Sequence, residues 1–230
     1  NMEKYISKKE KASYGFAAVG SYMVAGITQS YLMYFFTDIL IIPSAFVMML
    51  MIVARAWDAL NDPMMGVIVD RTSTKYGKMR PYVLIGSFLM LVTTIVLFMP
   101  LTGAPTMFKM IFAAVSYIIF GMAYTLTDVP AMGLMSVATP NSDERASLLS
   151  FYVTVGSVGS LLPVGLLTIF QSFIPEKYVY FSMSIFVGII TSAAYLTLFK
   201  NSKERFSTHT EKIAVRDMIK AAGKNKPMML

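Results

Sequence analysis

The chain predicts an all-α membrane protein of six transmembrane helices, on three observations. Apolar residues make up 56% of the 230 residues and charged ones 14%, with a mean hydropathy of +0.60, which is too oily for a soluble domain of this size. The apolar runs reach about 20 residues or more, the length that a hydrocarbon core about 30 Å thick demands of a helix rising 1.5 Å per residue. Basic residues gather between alternate runs, so the net charge of +7 is a topology signal and implies no nucleic-acid partner.

The first run, Tyr14 to Leu40, follows the charged segment Asn1 to Lys11 and is too long for the apolar region of a cleavable signal. It is expected to serve as its own insertion signal. The others run from Ala45 to Val69, Tyr82 to Leu101, Met107 to Ala138, Leu148 to Phe173 and Tyr178 to Phe199, giving an N-terminal six-helix domain over residues 1–199. Short turns built on Pro43, Gly103-Ala104-Pro105 and Pro175 follow the first, third and fifth runs, with Lys109 and Lys177 as their basic residues. The opposite face takes Lys4, Lys8, Lys9 and Lys11, then Arg71, Lys75, Lys78 and Arg80, then Arg145, then eight more from Lys200 to Lys226. That bias puts the N terminus and the linker on the cytoplasmic side of the cell (inner) membrane. Within the polar linker, 200–226, Ile213, Met218 and Ile219 mark a weak amphipathic helix. Pro227-Met228-Met229-Leu230 reads as the start of a seventh span that the chain does not contain. There is no cysteine for a disulfide or thiolate site, and the single histidine, His209, falls in the polar tail. No internal repeat is evident.

Polar residues within the apolar runs carry the chemistry. Asp58 and Asp62 stand four residues apart and share a helix face, with Arg55 one turn earlier. An ionised side chain in hydrocarbon costs between about 2.5 and 17 kcal/mol, so that face is expected to meet a partner or a watery cavity, as a site for a cation or a charged substrate. A purely structural Arg–Asp pair is the alternative, and it leaves one carboxylate still without a partner. Asp128 is a third deep carboxylate, followed by Pro130, which frees backbone carbonyls to line a cavity. Asp58, Asp62, Asn61 and Thr125 offer the hard oxygens that Na+ or Li+ prefers, while a carboxylate can equally carry H+. Taken alone, Thr125 reads as a hydroxyl bonded back to its own helix. Trp57, Tyr31, Tyr34 and Tyr124 offer a stacking platform for a sugar ring, or ordinary packing. Gly15, Gly20, Gly26 and Gly156 read as close helix contacts. The loop from Asp70 to Arg80 reads either as a topology signal or as a gate, with Arg55, Asp70, Arg71, Gly77, Lys78 and Arg80 as the gating residues. With no nucleophile–base pair, metal cluster or phosphate loop, neither an enzyme nor a cofactor is expected.

Over Arg55 to Pro81 the pattern R-x-W-D-A-x-N-D-P-x-x-G-x-x-x-D-R-T-x-T-x-x-G-K-x-R-P resembles the signature of the glycoside-pentoside-hexuronide:cation symporters, the melibiose-permease group of the major facilitator superfamily. Supporting stretches are K-A-S-Y-G-F-A-A-V-G at Lys11 to Gly20, Y-L-M-Y-F-F-T-D at Tyr31 to Asp38 and G-M-A-Y-T-L-T-D-V-P at Gly121 to Pro130. The resemblance implies cation-coupled symport of a sugar by alternating access, with Asp58, Asp62 and Thr125, and Asn61 beside them, holding the coupling cation. It implies that Asp128 binds sugar hydroxyls. Where melibiose permease has an acid of span one on the galactosyl ring, this chain has Tyr22; its span-four tryptophan is Met132 here and its span-five arginine Val153. A different glycoside, pentoside or hexuronide is therefore implied, with Asp128, Tyr22, Tyr124, Trp57 and Met132 on the substrate side. Members of that family have two six-helix halves with the site between them. The chain resembles the first half and middle linker, which implies a C-terminal six-helix half, or a second copy, as partner. A half-size membrane protein serving as a structural or regulatory partner is the alternative.

Overall fold

A computed structural model describes residues 5–206. The amphipathic helix expected around Ile213, His209 and the seventh span expected at Pro227 lie outside the described residues. Within them the chain forms α1 (Lys8–Tyr34), α2 (Ser44–Arg71), α3 (Arg80–Leu97), α4 (Thr106–Ala138), α5 (Ser142–Gln171) and α6 (Glu176–Asn201), and no strand. Five of the six, α2 to α6, are long and apolar enough to cross a membrane. The expectation of six such helices is corrected at α1, whose lysines at the start and Ser21, Thr28, Gln29 and Ser30 further on dilute its apolar character. The chain is a multi-pass membrane protein.

Helix α1 is deeply enclosed, packed against α5 and α6, while α3 lies between α6 and α4, and α2 rests chiefly on α4. Between helices in lipid the hydrophobic effect contributes little, so small residues that let backbones touch set the packing. A Cβ on Gly20 would come within 2.9 Å of the Thr191 Cα on α6, and one on Gly26 within 2.6 Å of the Ser160 carbonyl on α5. Thr191 also donates to the Gly20 carbonyl at 2.9 Å. Both are the close contacts expected of these glycines.

At one end of the bundle α1 closes in a π-helical turn, Phe35–Ile39. The buried Lys109 donates its Nζ to the Leu40 carbonyl at 2.7 Å, so it caps the end of that turn inside the fold and is no loop cation. At the other end Glu144 accepts from the backbone N–H of Ile6 at 3.0 Å. Arg205 grips the buried Glu10 through two nitrogens at 2.9 and 2.7 Å, and this hydrogen bond, chiefly, pushes the Arg205 guanidinium above its ordinary value. The start of α1, the α2–α3 loop, the α4–α5 turn and residues 203–206 thus gather at the basic end that the charge pattern defines.

Candidate functional site: a cavity between α1, α2 and α4

A cavity of about 480 Å³ opens between α1, α2 and α4, inside the range of about 300–1,000 Å³ usual for small ligands. Asp58, Asp62 and Asp128 line it together with Arg55, Trp57, Thr125 and Tyr124. The register of two helices makes the carboxylate pair. Asp58 and Asp62, one turn apart on α2, face Gly121 and Thr125, one turn apart on α4: Thr125 donates its hydroxyl to Asp62 Oδ1 at 2.8 Å, and a Cβ on Gly121 would lie 3.2 Å from Asp58 Oδ1. Thr125 is therefore not simply bonded back to its own helix. Nor does Arg55 close on either acid, because the one ion pair among the described residues joins Arg205 to Glu10 at 2.7 Å. The structural Arg–Asp pair is not formed, and both carboxylates open onto the cavity.

Asp128 lies deeper. Its Oδ1 accepts from Ser21 at 2.8 Å and, at longer range, from Tyr195 at 3.4 Å and Tyr152 at 3.5 Å. Ser21 in turn meets the Tyr124 hydroxyl at 3.1 Å. Helix α4 continues unbroken through Pro130, and Leu126, whose carbonyl that proline leaves without its helix donor, is not among the lining residues.

Several expected site residues stand elsewhere. Asn61 does not line the cavity, and its amide nitrogen is buried without a partner. Tyr22 also lies outside the lining; its ring packs where a Cβ on Gly156 of α5 would be 2.8 Å from Cδ2. Met132 is exposed on α4 and Val153 on α5, both outside the lining. Tyr31 and Tyr34 pack against Tyr180, with ring centroids 5.7 and 5.9 Å apart. Of the four aromatic residues offered as a sugar platform, Trp57 and Tyr124 remain in the cavity.

Asp70, Gly77 and Lys78 line a second cavity, of about 180 Å³, together with Glu204. The acid engaged there is Glu204, which accepts from the backbone N–H of Lys78 and Met79 at 2.8 Å and of Arg80 at 3.0 Å. These are the unpaired donors at the start of α3, a ready anion seat. Gly77 has φ +107° and leaves the space that the Glu204 carboxylate fills. Arg80 donates to the Phe199 carbonyl at 2.6 Å, and Arg71 is exposed at the end of α2. Sequence reading missed Glu204, an acid amid the basic linker, and Tyr195, a phenol within the sixth apolar run; both stood out only as polar residues among unlike neighbours.

A family model described as MFS/sugar transport protein matches residues 13–230, and the chain belongs to that family. An uncharacterized symporter, YjmB, of Bacillus subtilis is 33% identical over 99% of this chain and 50% of its own length. The inner membrane symporter YicJ of Escherichia coli is 29% identical over 96% of this chain and 48% of its own. The isoprimeverose transporter of Lactiplantibacillus pentosus is 28% identical over 96% and 47%. The chain spans about half the length of these curated relatives, which are transporters and not enzymes.

Proposed function

We propose that the chain is the N-terminal half of a secondary transporter that couples movement of a cation to uptake of a glycoside or related sugar by alternating access. The observation that carries this reading is the pair Asp58 and Asp62, side by side on a cavity wall and bound into no ion pair. Two adjacent carboxylates repel one another, and a cation between them relieves that repulsion while Thr125 keeps the Asp62 oxygen aligned. Na+, Li+ or H+ fits that chemistry as the transported ion. Asp128 accepts sugar hydroxyls deeper in the cavity, with Trp57 and Tyr124 as the apolar walls. Cation and sugar then raise each other's affinity by the same factor. The basic end, with the N terminus and the linker, faces the cytoplasm of the inner membrane, and the loop around Gly77 opens and closes that end. Names of the relatives as symporters, and of one as an isoprimeverose transporter, support a sugar as cargo. A second six-helix half completes the cavity.

The test is uptake by the complete gene product in proteoliposomes, across a panel of neutral glycosides, pentosides and hexuronides, with a Na+ gradient, a proton gradient or neither. Accumulation of at least one sugar only under a cation gradient is expected; equal uptake without any gradient would contradict coupling.

A further inference from the structure

Three hydroxyls from three helices converge on one oxygen of Asp128: Ser21 of α1 at 2.8 Å, Tyr195 of α6 at 3.4 Å and Tyr152 of α5 at 3.5 Å. All three donors are at most 1% exposed, whereas Asp128 lines the cavity. No described residue donates to its Oδ2, and no described lysine or arginine pairs with it. A carboxylate placed only to satisfy buried phenols would share its donors between both oxygens, since each has two lone pairs. Here all three donors take Oδ1, and none of them lines the cavity that Asp128 lines.

The hydrogens fix a direction. Ser21 has one hydroxyl hydrogen, and the short bond to Asp128 uses it, so Tyr124 is the donor across the 3.1 Å contact with Ser21. A relay runs from the cavity wall at Tyr124 through Ser21 into Asp128.

We infer that Ser21, Tyr152 and Tyr195 are positioning residues that clamp one oxygen of Asp128 so that the other is presented to sugar hydroxyls, doing with hydroxyls what a basic partner would otherwise do. The inference rests on the sugar-binding reading of Asp128. Turning that carboxylate breaks contacts with α1, α5 and α6 together, so sugar affinity depends on the packing of these helices.

The complete gene product carrying Ser21→Ala, Ser21→Thr and the double variant Tyr152→Phe/Tyr195→Phe tests this. The readouts are KM and maximal rate for sugar uptake, and cation affinity by calorimetry without sugar. Ser21→Ala and the double phenylalanine variant should each raise KM about tenfold, the size expected for losing a hydrogen bond to a charged group. Maximal rate and sugar-free cation affinity should stay within twofold, and Ser21→Thr should keep the wild-type KM. Unchanged KM in both variants overturns the inference, as does a fall in cation affinity that matches the loss for sugar, which would mark a general packing role. Failure of the transport reading itself is distinguishable, because the wild-type protein would then show no gradient-driven uptake.

Discussion

The hydroxyl of Thr125, 2.8 Å from Asp62, joins α4 to α2 at the carboxylate pair. Thr125→Ala removes a hydrogen bond to a charged group, and about tenfold weaker activation of uptake by the coupling cation should follow. Thr125→Ser should stay within twofold, and initial rates against cation concentration at fixed sugar measure both. An unchanged activation curve for Thr125→Ala would place the cation elsewhere. At this scale the acids were legible, because an ionisable group in an apolar run needs a partner that hydrocarbon cannot supply. The hydroxyls were legible only in part: Thr125 was singled out through the family resemblance, whereas Ser21 was not. Thr28 donates to the Val24 carbonyl and Thr127 to that of Ala123, both at the preceding turn; local sequence has no mark that separates these from Ser21, whose partner lies on another helix. Tyr22 and Met132 were named by correspondence with a protein whose residues differ there, and neither lines the cavity.

Helix α3 shows how far an element's partner can stand in sequence. Glu204 caps it from 124 to 126 residues away, across four helices, and no local pattern links the two. The basic loop around Gly77 was legible as such, but the acid engaged there was expected to be Asp70, not Glu204. Gly77→Ala forces a side chain into a left-handed conformation that costs roughly 1–2 kcal/mol before any clash, and the Glu204 carboxylate occupies the space a Cβ needs. Glu204→Ala strips the cap, a loss of about 1 kcal/mol. Thermal unfolding in detergent should therefore fall for both variants, more for Gly77→Ala, with Glu204→Gln between Glu204→Ala and wild type; equal midpoints for all would show that the carboxylate stabilises nothing there. Helix limits fared better where apolar length alone sets them, as with α2, read as Ala45 to Val69 and found as Ser44–Arg71; polar first turns made α1 and α5 start at Lys8 and Ser142, ahead of the runs read from Tyr14 and Leu148. The π-helical turn after α1 has no such origin and left no sign.

For the whole molecule, composition alone was enough to give a multi-pass helical protein, and the Arg55 to Pro81 pattern to give its family. The arrangement of helices was not readable, because lipid-facing and buried surfaces are equally apolar: exposed Met48, Met49, Ile52 and Leu60 on α2 look like core in sequence. That weakly covered helix carries three of the four charged residues of the cavity, Arg55, Asp58 and Asp62, so this wall borders the exposed side of the fold that the proposed second half would complete. The most direct measurement is uptake by the complete gene product carrying Asp58→Asn, in proteoliposomes matched for inserted protein, under the cation gradient that drives the wild type. A cation site at Asp58 predicts that accumulation falls to the level reached without a gradient; accumulation equal to wild type would contradict it.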